Sequence, residues 1–408
     1  MRLLFLPAYY YPEHAASSYL GDDLRKALCD NGNDIILYAP TPSRGVSDEV
    51  RKEYSSKERR HELLHDGRLI VYRFPLFAEG KNPILRAFRY ALCWIKHFNR
   101  GLLAKEIDCI YLASTPPIQG LLGGVLKKVK RKPFVYNLQD IFPDSLAGSG
   151  LAKKGGLLWK IGRSIENFTY RNADKIIVIS EDFKKNIMAK GVPEGKITVV
   201  YNWVDENEVK PVAKDDNPLF EVFGLSRDKF TVVYAGNLGN AQNISIILDG
   251  AKELPDIQFA VFGTGGLENE VRERIEKEGM TNVHLNPLQP YGRVSQVYSL
   301  GDVCIVSCKA GLGGSAMPSK TWTIMSCGRP VIASFDEGEL KEILEKSDCG
   351  VFTHAGNVLE FVNGIRSLAS DKARCAEMGK NARQFILNNL TKEVGTKKCV
   401  DVLKSFEK

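Results

Sequence analysis

The chain has 408 residues, of which 44% are apolar, 26% charged and 9% aromatic, and this ordinary globular composition excludes a disordered, collagenous or coiled-coil protein. Its length predicts two domains, and no apolar run approaches the ~18 residues that a membrane-spanning helix needs. The formal net charge is +7, but residues 1–200 hold 32 basic and 21 acidic side chains, whereas residues 201–408 hold 24 and 28. The nine cysteines are scattered along the chain, which favours reduced thiols in a cytoplasmic protein.

Apolar, β-rich runs alternate with helical patterns along most of the chain, which predicts an α/β fold with parallel sheets covered by helices. In the first half, the predicted strands are 3–7, 35–38, 69–74, 109–112, 134–137, 175–179 and 197–201. The predicted helices between them are 18–30, 83–104, 118–130, 157–172 and 181–189.

A second series of the same kind follows in the other half. Its predicted strands are 230–235, 257–262, 283–286, 303–307, 330–333 and 350–352. Its predicted helices are 244–254, 267–279, 294–300, 320–326 and 340–346, and the stretch 371–408 is also predicted to be helical.

The segment 205–223 lies between the two series, is polar and contains two prolines, a composition typical of a linker. The sequence therefore predicts two Rossmann-like doubly wound domains and a last helix that packs back toward the first domain. The bounds are 1–205, 206–385 and 386–408. We expect the two domains to face each other across a cleft at the carboxyl ends of their strands, where ligands of such sheets bind.

The excess of basic residues peaks at 81–105, which holds six Lys or Arg side chains, no acidic one and several aromatic ones. A helix that is both basic and aromatic-rich is typical of an element lying on an anionic membrane surface. The alternative is a core-packing helix whose basic residues face water. A second basic cluster at 127–132 could contact nucleic acid, but no nucleic-acid-binding module accompanies it. An anionic membrane or a phosphorylated ligand is the better interpretation.

Two glycine-containing loops in the second half each join a strand to a helix. The first holds Gly236, Asn237, Gly239 and Gln242, and the second holds Gly263 and Gly265. Glycines at such a turn let the backbone approach a ligand, and the helix that follows offers free N–H groups, so the two loops together predict phosphate binding. The alternative is a tight turn that simply needs glycine. The dinucleotide fingerprint lacks its third glycine and its acid here, which disfavours a nicotinamide-dependent dehydrogenase.

A third candidate segment, 309–322, leaves a buried-looking strand and enters a helix. Ser319 is a plausible N-cap of that helix. Lys320 in the first turn opposes the usual preference for acidic residues there. A cation in that place indicates an anionic ligand close by, and the alternative is an ordinary surface lysine.

In the first half, the segment 137–144 follows a strand, where ligand-facing residues of α/β sheets lie. Asp140 could orient a sugar hydroxyl or act as a base, or it could cap a short helix at 142–146. His14, in the loop after the first strand, could act in the same way, although a lone histidine is more often an ordinary loop residue. No Gly-x-Ser-x-Gly or Cys–His–Asp arrangement is visible, which disfavours covalent acyl transfer.

Taken in order, these segments resemble the bacterial retaining glycosyltransferases of family 4, which have the GT-B fold. The similarity rests on residues 2–6 with 11–13, 172–180, 201–205, 236–239 and 325–332. The variants at 139–144, 236–242 and 318–320 are most similar to the surface-polysaccharide branch. That branch contains the L-fucosamine transferases and the colanic-acid or capsule transferases.

The resemblance implies an enzyme that moves a hexosyl or N-acetylaminosugar unit from a nucleotide diphosphate, with UDP preferred to GDP, to a hydroxyl. The implied acceptor is an undecaprenyl-diphosphate-linked saccharide used for O-antigen or capsule. The nucleotide would bind the second domain and the acceptor the first. No cofactor or metal ion is expected, because basic side chains and helix N-terminal amides would stabilise the diphosphate. The enzyme would be cytoplasmic and attached peripherally, through 81–105, to the inner face of the plasma membrane.

The residue patterns and the resemblance together give the candidate site residues. The catalytic candidates are Gln139, Asp140 and Lys320. The donor-binding candidates are Gly236, Asn237, Gly239, Gln242, Gly263, Gly265, Ser315, Ser319 and Thr323. The acceptor-binding candidates are His14, Ser17 and Asp144, and no residue is assigned to a metal ion.

The sequence departs from the family pattern at several of these positions. Ser315 and Thr323 stand where the family has two glutamates. Asn237 replaces a basic residue, and Gln139 replaces a histidine. We expect Lys320, together with Arg329, to supply the positive charge that the missing basic residue would have given. Two other functions stay open: another GT-B enzyme, such as a nucleotide-sugar epimerase, and a non-catalytic nucleotide-sugar-binding protein.

Overall fold

The computed structural model describes residues 1–13, 18–80, 82–145, 153–313 and 316–407. These residues form two compact units: Met1–Tyr201 with Gly395–Lys408, and Asn202–Val394. Each unit is built on one largely parallel sheet with helices. The predicted α/β class is therefore confirmed.

The first unit contains a sheet of eight strands in the order β3-β4-β2-β1-β5-β6-β7-β8. The strands are β1 (Arg2–Phe5), β2 (Asp34–Pro40), β3 (His61–Leu64), β4 (Leu69–Phe74), β5 (Cys109–Ala113), β6 (Phe134–Leu138), β7 (Lys175–Val178) and β8 (Ile197–Val199). The helices are Ser18–Asp30, Asp48–Ser55, Pro83–Leu103, Ile118–Lys130, Leu157–Asn172 and Glu181–Ala189, with 3₁₀ turns at Glu58–Arg60 and Glu194–Lys196. Strand β3 pairs antiparallel with β4, and the other pairs are parallel.

Local chemistry explains several of these bounds. The Ser180 side chain accepts a hydrogen bond from the Phe183 N–H at 3.1 Å and so caps its helix, as expected for a serine at this position. Helix Ile118–Lys130 carries Gly123 against the sheet because a Cβ there would collide with the ring of Phe134. These short side chains and caps fix where the helices begin and how closely they approach the strands.

The second unit contains a parallel sheet of six strands in the order β11-β10-β9-β12-β13-β14. The strands are β9 (Thr231–Asn237), β10 (Gln258–Thr264), β11 (Val283–Asn286), β12 (Val303–Ser307), β13 (Val331–Phe335) and β14 (Gly350–His354). The helices are Leu219–Val222, Ser245–Glu253, Glu268–Lys277, Val294–Ser299, Lys320–Ser326, Glu339–Lys346, Val358–Ser370, Lys372–Asn389 and Lys392–Lys404, with 3₁₀ turns at Asn240–Gln242 and Tyr291–Arg293. The last helix belongs to this unit only as far as Val394, and from Gly395 it belongs to the first unit.

Interpreting 205–223 as a linker was wrong. This segment is part of the second unit, with Asn217 and Phe220 fully buried. Its backbone is held by side-chain partners, because the Lys210 N–H donates to Ser295 Oγ at 3.1 Å and the Val212 N–H donates to Ser299 Oγ at 3.0 Å. The segment 205–223 is therefore irregular but packed into the second unit, in spite of its polar, proline-containing composition.

Each sheet has a point where the strand order reverses, between β1 and β5 in the first unit and between β9 and β12 in the second. Connections leave the two central strands in opposite directions there, which opens a crevice at the carboxyl ends of the strands. The glycine loops follow β9 and β10, and the segment 137–144 begins in β6, two strands from β1. The described candidate residues in these segments therefore lie at the carboxyl ends of the strands, where ligands of such sheets generally bind.

Candidate functional site

The two glycine loops of the second unit pack backbone against backbone. Gly236 and Gly263 face each other across the β9–β10 pair, and a Cβ on Gly263 would lie 2.5 Å from the Gly236 carbonyl oxygen. A Cβ on Gly265 would collide with the Leu238 carbonyl oxygen. The Leu238 N–H donates to the Thr264 carbonyl oxygen at 2.9 Å. The two loops therefore need glycine in order to pack tightly. Their main-chain atoms form the base of the candidate site.

Asn237 and Gln242 lie next to these main-chain atoms. The Asn237 Nδ2 donates to Gln242 Oε1 at 3.5 Å, and the Tyr234 hydroxyl donates to the Asn237 carbonyl oxygen at 2.8 Å. The Ser307 hydroxyl, at the end of β12, donates to the Gln242 carbonyl oxygen at 2.5 Å. The structure thus brings both loops together beside the point where the order of the second sheet reverses.

Lys320 brings a positive charge to the same place. Its ammonium lies 4.2 Å from the centre of the Tyr234 ring and 2.8 Å from the position that a Cβ on Gly236 would occupy. Partial burial among these groups lowers the pKa of Lys320 to about 8, because desolvation disfavours the charged form. Within the described residues, no carboxylate lies within the 4.0 Å of an ion pair. This ammonium can therefore bind an anionic ligand.

The helix that carries Lys320 has the predicted bounds, Lys320–Ser326, but the side chain of Ser319 does not cap it. Ser319 has helical backbone angles and its side chain makes no capping hydrogen bond. The Thr321 N–H donates instead to the Pro318 carbonyl oxygen at 2.9 Å, in a tight turn that leads into the helix. Thr323 lies one turn after Lys320 and is partly buried, on the same side of the helix. Ser315 lies outside the described residues.

Asp336, which the sequence analysis missed, fixes the loop after β12. Its carboxylate accepts the Gly311 N–H at 3.0 Å and the Gly313 N–H at 2.7 Å. Asp336 follows β13 directly, and that position at the carboxyl edge of the sheet was the only signal available. Its role is to hold the loop that leads toward Lys320.

Arg329 does not join this site, contrary to expectation. It precedes β13, so it lies at the amino-terminal edge of the sheet, whereas Lys320 and the glycine loops lie at the carboxyl edge. Its guanidinium donates to the Ser299 carbonyl oxygen at 3.1 Å. Helix Lys320–Ser326 runs from one edge to the other, which separates two cations that are nine positions apart in sequence.

In the first unit, Ser114 holds the segment that contains Gln139 and Asp140. The buried Ser114 hydroxyl accepts the Gln139 N–H at 2.9 Å and the Asp140 N–H at 3.3 Å. The Gln139 side-chain amide donates to Asn137 Oδ1 at 2.8 Å. Nothing in the sequence marked Ser114, because its role is to accept backbone hydrogen bonds from a segment 25 residues away.

Asp140 keeps access to solvent, but neighbouring protein atoms partly desolvate it and raise the pKa of its carboxyl. The Ser145 hydroxyl donates to Asp140 Oδ2 at 3.0 Å. A carboxylate with a raised pKa accepts a proton more readily. Asp144 is engaged differently, because Lys190 donates to its Oδ2 at 2.7 Å and also to Glu166 at 2.8 Å.

Glu13 is a buried carboxylate near the carboxyl edge of the first sheet. Its Oε1 accepts the Ser43 N–H at 2.7 Å and the Arg44 N–H at 2.8 Å, so it joins the loop after β1 to the loop after β2. The predicted acceptor residues His14 and Ser17 follow directly and lie outside the described residues.

Two family models together match most of the chain. Residues 22–208 match the family model described as Glycosyltransferase Family 4, and residues 215–385 match the model described as Glycosyl transferases group 1.

Relatives with curated names are similar over long stretches. The putative colanic acid biosynthesis glycosyl transferase WcaI of Escherichia coli K12 is 28% identical over 90% of this chain and 91% of its own length. The probable glycosyltransferase WbjE of Pseudomonas aeruginosa is 24% identical over 68% of this chain and 70% of its own. The Escherichia coli UDP-Gal:alpha-D-GlcNAc-diphosphoundecaprenol alpha-1,3-galactosyltransferase is 25% identical over 72% of this chain and 75% of its own.

Solved structures share the fold. Anabaena HepE, crystallised with UDP, matches with a TM-score of 0.74 at 20% identity over 99% of this chain and 100% of that one. Sucrose-phosphate synthase of Thermosynechococcus elongatus matches with a TM-score of 0.79 at 15% identity over 99% and 98%. At such low identity these likenesses concern the fold alone, and the expected GT-B fold is confirmed.

Proposed function

The chain belongs to the family 4 glycosyltransferases with the GT-B fold, and from this premise we propose that it transfers a sugar from a UDP-sugar to a lipid-linked saccharide. The product would be part of a bacterial surface polysaccharide, an O-antigen or a capsule. The observation that carries the proposal is the Lys320 ammonium, which lies beside two packed glycine loops with no described carboxylate as partner.

The donor would bind the second unit. When the bond between the sugar and the diphosphate breaks, negative charge develops on the diphosphate oxygens, and a preorganised cation at this point stabilises it. Lys320 would serve this role as a catalytic residue, with Asn237, Gln242 and Thr323 as polar neighbours. UDP is favoured because the HepE structures were solved with UDP and with UDP-glucose, and because the galactosyltransferase relative is named for a UDP-sugar.

The acceptor would bind the first unit, where the segment 137–144 ends β6. The acceptor hydroxyl attacks the anomeric carbon, with retention of configuration, and its proton passes to a nearby base. Asp140 would orient that hydroxyl or accept that proton, since its raised pKa suits the second role. Gln139, held by the same Ser114 hydroxyl, would hydrogen-bond the transferred sugar or the acceptor. An undecaprenyl-diphosphate-linked saccharide is favoured by the galactosyltransferase relative, whose name specifies such an acceptor.

A thermal-shift panel with UDP, GDP, ADP, CMP and NAD, each with magnesium and with EDTA, tests the donor. We expect UDP to raise the melting temperature equally in both conditions, since a ligand at 100 times its Kd stabilises the native state by about 2.7 kcal/mol. A shift that needs magnesium would contradict the metal-independent reaction, and a shift with another nucleotide would contradict UDP. Donor turnover without any acceptor would instead support an epimerase.

Attachment to an anionic membrane is proposed for helix Pro83–Leu103. Its most exposed face is apolar, with Ile84 78%, Phe88 55% and Ile95 50% exposed. The alternative of a core-packing helix with basic residues toward water fits it only in part, because Arg89 is fully buried. Such a stripe can enter the interface of a bilayer. None of the described helices is long and apolar enough to cross a membrane.

The basic residues of 81–105 contribute less than their number suggests. Arg86 forms an ion pair with Glu79 at 3.0 Å, and Lys96 donates to the Pro75 carbonyl oxygen at 2.5 Å. Arg100 and Lys105 are exposed, with no described carboxylate within 4.0 Å. Lys81 lies outside the described residues. We therefore infer that the apolar stripe supplies most of the attraction and that two exposed cations add to it.

Replacing Ile84 and Phe88 together with aspartate is expected to weaken binding to vesicles of phosphatidylglycerol and phosphatidylethanolamine at least tenfold. Burying one such side chain contributes about 1.5–3 kcal/mol, and the new charges add repulsion. Sedimentation with liposomes measures the bound fraction. Leu359→Asp is the matched control, because Leu359 is 70% exposed in the second unit. Equal loss in both variants, or none in either, would contradict the membrane role of this helix.

A further inference from the structure

A cavity of about 210 Å³ lies at the amino-terminal edge of the second unit's sheet, the edge opposite the glycine loops. Its wall includes residues that directly precede three parallel strands: Phe230 before β9, Asp302 before β12 and Pro330 before β13. Substrates of open α/β sheets bind at the carboxyl ends of the strands. This cavity is therefore separate from the proposed donor site.

Positive charge dominates the wall of the cavity. Five of its side chains are cationic and two are anionic, although residues 201–408 carry 24 basic and 28 acidic side chains. The cationic ones are Lys214, Arg227, Lys229, Arg329 and Lys372, and the anionic ones are Asp228 and Asp302. A concentration of cations against the net charge of this half of the chain indicates an anionic ligand.

Two of the five cations have carboxylate partners. The Arg227 guanidinium donates to Glu221 Oε2 at 3.1 Å. The Lys214 ammonium lies 3.9 Å from Asp302 Oδ1, while the other Asp302 oxygen accepts the Thr231 N–H at 2.7 Å. These pairs account for part of the charge in the cavity wall.

The other three cations have no described carboxylate within 4.0 Å. Lys229 and Lys372 are exposed at the rim, and Arg329 is partly buried. The Arg329 guanidinium donates to the Ser299 carbonyl oxygen, but its Nε is buried and has no acceptor among the described residues. A buried donor without an acceptor is unfavourable. Because this Nε is enclosed by protein, an anion in the cavity would meet other atoms of the guanidinium, which lines the cavity wall.

We propose that this cavity binds a compact phosphate-bearing anion at a second site, independent of the sugar donor. Arginine suits phosphate because its planar fork can donate two hydrogen bonds to two oxygens. Lys229 and Lys372 would add point charges from the rim. The volume is below the ~300–1,000 Å³ of pockets that enclose drug-sized ligands, which favours a ligand the size of orthophosphate, pyrophosphate or a small phosphate ester.

Isothermal titration of inorganic pyrophosphate and of orthophosphate into the full chain, at constant ionic strength and with saturating UDP, tests the proposal. UDP is included so that the donor site is already occupied. We expect at least one of the two anions to bind under these conditions. The double substitution Lys229→Ala and Lys372→Ala should weaken that binding at least tenfold. Both residues are exposed, so the variant should fold, and its melting temperature without ligand checks this.

Two further variants separate this site from the donor site. Lys320→Ala should leave the binding unchanged, and Lys277→Ala, an exposed lysine on helix Glu268–Lys277, is the matched control. Equal affinity in the double variant and the wild type would overturn the proposal, as would complete loss of binding in Lys320→Ala. If UDP does not bind, the same comparison is made without UDP. The second anion site is therefore tested independently of the proposed function.

Discussion

Replacing Lys320 with alanine is expected to lower kcat/KM for the nucleotide-sugar donor at least tenfold, an effect of ~1.4 kcal/mol on the transition state. The ammonium lies 4.2 Å from the Tyr234 ring and next to Gly236, and its loss would leave the departing diphosphate without a cation. Steady-state kinetics at varied donor concentration measure the effect. Lys277→Ala, which removes an exposed lysine of the same unit, should have wild-type kinetics.

The pKa of Lys320, about 8, adds a pH dependence to this prediction. The lysine is charged below that pH and becomes neutral above it, so the donor KM should rise as pH increases beyond about 8, approaching tenfold per unit. Lys320→Arg should retain activity above pH 8, because a guanidinium stays protonated there. A flat donor KM from pH 7 to 9.5 in the wild type, or unchanged kinetics in Lys320→Ala, would reject the role of Lys320.

Replacing Gly263 with alanine is expected to damage both stability and donor binding. The new Cβ would lie 2.5 Å from the Gly236 carbonyl oxygen and 2.7 Å from Leu238 Cγ, so the two loops must separate. Overpacking of this kind costs about 1–3 kcal/mol, and the moved loops would no longer present their backbone to the diphosphate. Chemical denaturation measures the free energy of unfolding, and titration with UDP measures the affinity, which should fall more than tenfold.

Gly266→Ala is the matched control, because a Cβ there meets no atom within 4 Å. The free energy of unfolding of this variant should be within about 0.5 kcal/mol of the wild-type value, as is usual for surface substitutions. If Gly263→Ala binds UDP as tightly as Gly266→Ala, the packed loops are not the donor site.

Most of the fold could be predicted from sequence, because caps and hydrophobic periodicity are local signals. Helices Ile118–Lys130, Leu157–Asn172 and Glu181–Ala189 have the predicted bounds. Strand β3 was missed because three of its four residues are exposed and it therefore lacks a buried pattern. Helix Asp48–Ser55 was missed for a related reason, since Tyr54 is its only buried side chain.

The site was predictable where a residue type and a strand end coincide. The glycine loops and Lys320 were chosen as candidates because they follow strands and have unusual chemistry for their positions, and the structure brings them together. Ser114 and Asp336 were missed because they act by accepting backbone N–H groups from distant segments, which leaves no local pattern. Arg329 was misplaced because sequence distance does not reveal which edge of a sheet a residue reaches.

The first unit is made of two separate pieces of chain, Met1–Tyr201 and Gly395–Lys408. Cys399 and Leu403 of the second piece are buried, so this unit cannot complete its core until residues 395–408 have been synthesised. At roughly 5–20 residues per second, the ribosome takes on the order of ten seconds or more to make the intervening unit. During that time the core of the first unit is incomplete. Premature termination within residues 395–408 would therefore harm the domain that was made first.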